Sequence, residues 1–506
     1  MSQKKIIRSP SSKIFINLKK KNKKVVLCHG VFDLLHYGHI LHFEQAKKLG
    51  EILVVSVTPD NHVNKGPSRP AFNENIRMNA IAALEIVDYV ILNNSSTAIN
   101  SIKKVKPQFY CKGLDYKDHS KDLTQGIKKE INAVKAVNGK IIYTKGQTFS
   151  SGNLINSFSD NLSEQTKTNL NIIKKKYDFE KIKKLIENFN NYKVLIIGEL
   201  IIDEYVFCDA LGKSGKDPFL VLKDIKSEKY LGGAGAIAKN LSNFCEKISL
   251  LSMIGQKKEG LNFIKKNLSG VNLKYVSKKD SPTILKKRFL DINSGNKVLG
   301  VYQINDDALD PNSEKKFQKI ISQNINNFDL VVVSDYGHGL ISTKTANLIS
   351  RKSKFLALNA QVNAANIGFH SLKKYKNVDC VIINEKEIRY ELRNRDGDIK
   401  VLMKKLAKNQ NFKNIIVTQG ISGAILFNKK NNNFTKSDAF ENKAVDKIGA
   451  GDTMLSLISL CMKSSISYNL SLLIGSLAAA LSVKNYGNKK EINKVQLIKS
   501  IENLLK

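Results

Sequence analysis

Between Lys23 and about Asn156, short apolar runs alternate with amphipathic stretches, and a second series of the same kind opens at Lys193 and continues to Lys506. Residues 25–28, 52–57, 89–92, 109–111 and 140–143 read as strands, and 40–49 (closed by Gly50) and 73–84 as helices. Such alternation predicts an α/β fold: a parallel sheet covered by helices on both faces, with the loops after the strands converging on one ligand-binding edge. Residues 157–192 change character. They are polar and rich in Asn, Lys and Ser, which predicts a linker that begins flexible and ends in an amphipathic helix at 179–189. A new apolar strand then follows at 194–197, ending at Gly198. The expected division is a basic tail at 1–22, a first domain at 23–156, the linker, and a second domain at 193–506. No internal repeat relates the halves.

The run Cys28-His29-Gly30-Val31-Phe32-Asp33-Leu34-Leu35-His36-Tyr37-Gly38-His39 lies where the first strand turns into a helix. Two histidines three residues apart share a helix face. The first helical turn also offers unpaired N–H groups and the positive end of the macrodipole. Imidazoles, free N–H groups and a glycine permitting close approach suit a nucleoside triphosphate. A lone His-x-x-His is by default a pair of surface histidines. Here the preceding strand, Gly30, Gly38 and Asp33 favour a ligand site.

On these residues, the segment from Lys23 to Asn156 resembles the nucleotidyltransferase superfamily with the His-x-Gly-His signature, and within it the cytidylyltransferase-like group. The resemblance implies a Rossmann-like domain in which Gly30, Phe32, Asp33 and Gly38 frame the nucleotide, and His36 and His39 stabilise charge on its phosphates. Asn64-Lys65-Gly66 resembles the loop that delivers a lysine to the triphosphate, and Asn75-Ile76-Arg77-Met78 the helix whose arginine grips the substrate phosphate. Cys111-Lys112-Gly113-Leu114-Asp115 resembles the lysine-glycine-x-aspartate turn of heptose adenylyltransferases. Thr148-Phe149-Ser150-Ser151 resembles the turn that opens a helix over the phosphates, with Gly152 where the family usually has Ser or Thr.

A second constellation is Asp446-Lys447-Ile448-Gly449-Ala450-Gly451-Asp452-Thr453. Glycines flanking a small residue let successive N–H groups point at one anion, and Asp452 can accept the proton of an attacking hydroxyl. Alone, this is equally an aspartate capping a helix. With its neighbours it resembles the C-terminal signature of ribokinase-like (PfkB) sugar kinases, which implies a ribokinase-like α/β second domain. Leu231-Gly232-Gly233 through Asn240 resembles the N-terminal signature, where paired glycines admit the sugar, and Asp203 the aspartate holding sugar hydroxyls. Asn384 and Glu387 fit the Asn-x-x-Glu element that governs Mg2+ and phosphate, with Glu387 acting on the metal indirectly. Thr418 and Gly420 fit the loop touching ATP, and Gly449, Ala450 and Gly451 the anion hole. Ser334-Asp335-Tyr336-Gly337-His338-Gly339 resembles the corresponding stretch of heptose kinases, whereas Asn359-Ala360-Gln361 replaces their aspartate-proline-lysine. Gly212-Lys213-Ser214 is not a P-loop, because Phe207 stands where the first glycine belongs.

Together these imply an enzyme resembling the bifunctional heptose phosphate kinase/adenylyltransferases, with the domain order reversed. Such an enzyme phosphorylates a sugar, then makes an ADP-heptose-like activated sugar for surface polysaccharide. CTP in place of ATP, giving a CDP-sugar or CDP-polyol, is the alternative for the first domain. A sugar-binding regulatory protein with a degenerate kinase half is another.

The net charge of +37 invites a nucleic-acid partner. The lysines are dispersed, however, and aromatics are not interleaved with them, so the expected partners are a sugar phosphate and a nucleoside triphosphate. Self-association into a homo-oligomer stays open. No run approaches the roughly 20 apolar residues of a membrane span, and the start lacks an apolar leader, so a cytoplasmic protein with no membrane partner is expected. The six scattered cysteines include no C-x-x-C pair, which predicts neither a zinc site nor a disulfide framework.

Overall fold

The structure, a computed structural model, describes residues 2–7, 12–67, 69–117, 126–144, 162–362, 366, 370–441 and 443–505. The chain forms two compact units, Met1–Asn161 with Ile498–Lys506, and Leu162–Leu497.

In the first unit six parallel strands run, edge to edge, Ile6–Ile7, Tyr89–Leu92, Ile52–Val57, Val25–Gly30, Phe109–Gly113 and Lys140–Thr144. The central strand is apolar at every position from Val25 to Cys28 because both faces are covered. Val26 and Cys28 pack with Phe43, Met78 and Ile81 on one face, and Val25 and Leu27 with Phe15, Ile102 and Val134 on the other. The Lys-rich start, expected as a tail, therefore contributes here. Ile6 and Ile7 pair with Val90 and Ile91, and the helix Ser12–Lys20 buries Phe15.

In the second unit the nine-stranded sheet is parallel across seven strands: Val271–Lys278, Lys247–Gly255, Lys193–Gly198, Leu330–Asp335, Leu356–Ala360, Cys380–Asn384 and Asn414–Thr418. Ala424–Asn428 and Asn433–Ser437 extend it antiparallel. A separate four-stranded sheet is ordered Lys297–Gln303, Leu285–Asp291, Leu200–Lys213 and Leu220–Gly233. We term it the wall sheet, because its residues form one wall of the cavity described below. The decoy Gly212-Lys213 lies at the far end of its long hairpin.

Two helices, Glu164–Lys176 and Phe179–Glu187, occupy the region read as a linker. The first is not flexible spacer. It buries Leu170 and Ile173, Asn169 donates to the Lys436 carbonyl at 2.6 Å, and Ser163 donates to Asp438 at 2.9 Å. Among the described residues no helix is long and apolar enough to cross a membrane, and the six cysteines are free and buried.

Candidate functional site

In the first unit the strand Val25–Gly30 delivers its loop to the helix Tyr37–Lys47. His36 is the N-cap: its Nδ1 accepts from the Gly38 N–H at 3.2 Å. The His36 and His39 rings stack with centroids 3.8 Å apart and planes 25° apart, and His39 meets the edge of Phe32. Burial, then the Lys65 ammonium, lowers the His36 pKa. Burial, then His36, Lys65 and His42, pushes His39 down to about 3. Both rings are therefore neutral at physiological pH, and the Lys65 charge acts on both.

Other expected residues of this unit serve the scaffold. Asp33 accepts from the N–H groups of Ala71 and Phe72 at 2.8 and 3.1 Å, which fixes the loop entering the helix Glu74–Ala82. Arg77, expected to grip the incoming phosphate, is 2% exposed. Its nitrogens donate to the carbonyls of Phe72, Val31 and Thr58 and to Asp60, so the guanidinium is a strut joining three loops. Lys112 likewise turns inward, to Glu130 at 3.1 Å with the Tyr116 ring over its ammonium at 4.6 Å. Gly30 leaves room for the Phe32 ring, which an added Cβ would meet at 3.0 Å, and Gly113 faces open space. The side chain of Asp115, and Ser150 and Ser151 entirely, lie outside the described residues.

In the second unit a cavity of about 970 Å3 runs between the two sheets. Asp203, Gly233, Lys286, Arg288, Tyr302 and Tyr336 line one end. Asn384, Glu387, Thr418, Gly420 and Val483 line the other, and Gly449, Ala450, Gly451 and Asp452 lie on the cavity as well. Most of the expected sugar and nucleotide residues thus share one trough with the glycine turn, whereas Gly232 and Asn240 do not line it. Gly449 takes φ +88°, a backbone that favours glycine, and caps the helix Ala450–Lys463, whose first-turn N–H groups lack helical acceptors.

Asp452 is 8% exposed, and burial pushes its carboxyl up to about 7. The Tyr336 hydroxyl donates to both of its oxygens, at 2.8 and 2.9 Å, and opposes that rise. Tyr336 is itself held from below: its N–H donates to Glu199 at 2.9 Å, and so does the His338 N–H at 3.2 Å. Glu199 has no exposed surface, and burial and the adjoining Asp335 bring it to about 7.

Asp203 accepts from Arg288 at 2.5 Å. Gly232 belongs to this contact, since a Cβ there would stand 2.2 Å from the Asp203 Oδ2. Gly232 therefore admits the aspartate that faces the cavity, while a Cβ on Gly233 would meet the Glu199 carbonyl at 2.5 Å. Asn240, expected to touch sugar, instead bonds Thr453 at 3.2 Å and the Ile492 N–H at 3.0 Å, and ties two helices together. Glu387 and Asn384 form a capping box, and Glu387 accepts a further N–H from Val362 at 3.3 Å. Among the described residues no group of three His, Cys, Asp or Glu could hold a metal.

Sequence reasoning missed Lys286 and Arg288. A signal existed: they occupy alternate, inward positions of the strand Leu285–Asp291. Lys286 is 6% exposed and lines the cavity, and among the described residues it has neither hydrogen bond nor ion pair at its ammonium. The rings of Tyr336 and Tyr302 lie 5.3 and 5.6 Å from it.

The family description "pfkB family carbohydrate kinase" matches residues 191–494, and "Cytidylyltransferase-like" matches residues 27–195. The chain is 28% identical over 299 residues to the Bifunctional protein HldE of Campylobacter jejuni (strain RM1221), covering 58% of this chain and 62% of that relative's length. It is 39% identical over 131 residues to the Bifunctional protein HldE of Aliarcobacter butzleri, covering 25% of this chain and 27% of that relative. Escherichia coli phosphofructokinase-2 in complex with potassium superposes with a TM-score of 0.51 at 14% identity, over 61% of this chain and 98% of that one, which is a likeness of fold.

Proposed function

We propose, for a chain that belongs to the pfkB family of carbohydrate kinases and has a cytidylyltransferase-like region ahead of it, that it phosphorylates a sugar and then activates a sugar 1-phosphate as a nucleotide sugar. The substrate we favour is a heptose phosphate, phosphorylated at C1, and the product an ADP-heptose-like sugar for surface polysaccharide. The single observation carrying the kinase half is the shared trough, with Asp452 buried beside the first-turn N–H groups of the helix Ala450–Lys463. In the kinase step Asp452 takes the proton of a sugar hydroxyl while that oxygen attacks the γ-phosphorus, and the bond to ADP breaks. The N–H groups of Gly449, Ala450 and Gly451 meet the charge that develops. Bound magnesium would supply charge neutralisation on the ATP phosphates. The uncommitted Lys286 ammonium supports a sugar that already carries an anionic group.

In the first unit a phosphate oxygen of the sugar 1-phosphate attacks the α-phosphorus of the nucleoside triphosphate, and pyrophosphate leaves. No protein nucleophile is needed. His36, His39 and Lys65 orient the triphosphate and stabilise its charge.

The test is a screen of sugar phosphates against ATP and CTP, with product masses read out. ADP-linked products support the reading, and CDP-linked products would move the first unit to the cytidylyl alternative. Asp452→Asn should lower sugar phosphorylation at least about a hundredfold. Replacing both His36 and His39 by alanine should abolish pyrophosphate release and spare the kinase. Near-normal phosphorylation by the Asp452 variant would remove the kinase assignment.

A further inference from the structure

The turn that carries the anion hole and the base begins at Asp446, which the proposed mechanism leaves without a role. Asp446 is 3% exposed and accepts four hydrogen bonds. Two come from the body of the unit, the N–H groups of Ile448 at 3.1 Å and Gly487 at 3.0 Å. Two come from the wall sheet, the Tyr205 hydroxyl at 2.7 Å and the Lys297 ammonium at 2.5 Å. Lys297 stands on the outermost strand, Lys297–Gln303, where all seven residues are exposed. Its ammonium is nonetheless the one cation paired with Asp446 among the described residues. Gly487, at φ +47°, permits the approach: a Cβ there would meet the Tyr205 hydroxyl at 2.7 Å.

A carboxylate without solvent exposure is costly unless a cation and hydrogen bonds compensate it. Burial, the largest influence on Asp446, pushes its pKa up, and the hydrogen bonds from Lys297, Tyr205 and the Ile448 N–H together with the Lys297 charge more than offset this, so the group is held below the ordinary range as an anion. If the outer strand moved away, the anion would lose its one cation and keep two N–H donors and the neutral Tyr205 hydroxyl. The turn that aims Gly449 to Gly451 would then have to admit water or refold around the unmet charge.

We propose that Asp446 and Lys297 are positioning residues that make the phosphate-binding turn competent only while the outer strand of the wall sheet is docked. The sheet that supplies Asp203, Lys286 and Arg288 to the sugar end is thereby coupled to the anion hole, with no contact between Lys297 and either substrate. This rests on the kinase reading above.

The test uses the full chain and Mg-ATP alone, with water as the acceptor, and reads ADP release. Cleavage between the β and γ phosphates yields ADP, whereas nucleotidyl transfer yields pyrophosphate. Lys297→Met should lower kcat at least about fivefold, the lower end of ordinary coupling between sites, and should also lower the melting temperature, because a buried carboxylate loses its cation. Propylammonium should restore part of the loss in Lys297→Ala and leave the parent chain unaffected. Tetramethylammonium, which has no N–H, should not. Adding Asp446→Asn to Lys297→Met should recover rate relative to the single variant, because no unpaired anion remains buried. A Lys297→Met rate within twofold of the parent would overturn the proposal. So would a loss that neither the amine nor the second substitution relieves, since that pattern means general damage to the fold. A parent no faster than Asp452→Asn would instead remove the kinase reading beneath it.

Discussion

Replacing Tyr336 by phenylalanine isolates the tuning of Asp452. The hydroxyl donates to both carboxylate oxygens, at 2.8 and 2.9 Å, while the ring packs beside Lys286 and would remain. Burial and the Asp452 charge raise the Tyr336 pKa well above its usual value, so the phenol is a donor throughout the assay range. Asp452 must be ionised to accept a proton, so kcat/KM for sugar phosphorylation should rise with pH through about 7 in the parent chain. Removing the donor destabilises the ionised form and moves that limb upward. A hydrogen bond to a charged group is worth about 1.5–3 kcal/mol, or about 1–2 units at about 1.4 kcal/mol each. The variant should therefore be slower by about tenfold at neutral pH and nearly recover about two units higher. The assay is the pH profile of kcat/KM for both proteins. A limb that stays in place, or a loss that is uniform across pH, would refute the assignment of Tyr336 as the group tuning the base.

Arg77→Ala should destabilise the first unit by at least about 2 kcal/mol, because buried acceptors lose their donor; urea-induced loss of pyrophosphate release measures it, and Arg77→Lys should not rescue, having one nitrogen where three are used. Gly232→Ala should displace the Asp203 carboxylate, whose Oδ2 would lie 2.2 Å from the new carbon, and raise the sugar KM more than the ATP KM. An approaching triphosphate raises the pKa of His36 and His39, both now depressed, so nucleotide binding near pH 6 should take up protons. Calorimetric titrations in buffers of different ionisation heat would show it, and the uptake should fall when both histidines are alanine.

The βαβ alternation was legible because parallel strands buried on both faces are apolar throughout, as at residues 25–28. The catalytic turn was legible because Gly449, Ala450, Gly451 and Asp452 are neighbours in the chain. Roles that depend on distant partners were not. Arg77, Lys112 and Asn240 have the residue types that bind phosphates or sugars, yet their acceptors, among them Thr58, Glu130 and Thr453, become neighbours only in the folded chain. The helix Glu164–Lys176 read as spacer because only a narrow stripe, including Leu170 and Ile173, is apolar. The start of the chain read as a tail because its strand is two residues long and its core contribution is chiefly Phe15. Lys286 and Arg288 could have been found, since alternate basic residues pointing inward along a strand need an anion to face.

The backbone of Tyr336 hangs from Glu199, a carboxyl that no solvent reaches. The placement of the hydroxyl that tempers the reacting group thus depends, two links away, on a place no substrate visits. An engineer retargeting the sugar end could vary the residues that meet the ligand, but a change at position 199 would retune the chemistry while leaving every substrate contact intact.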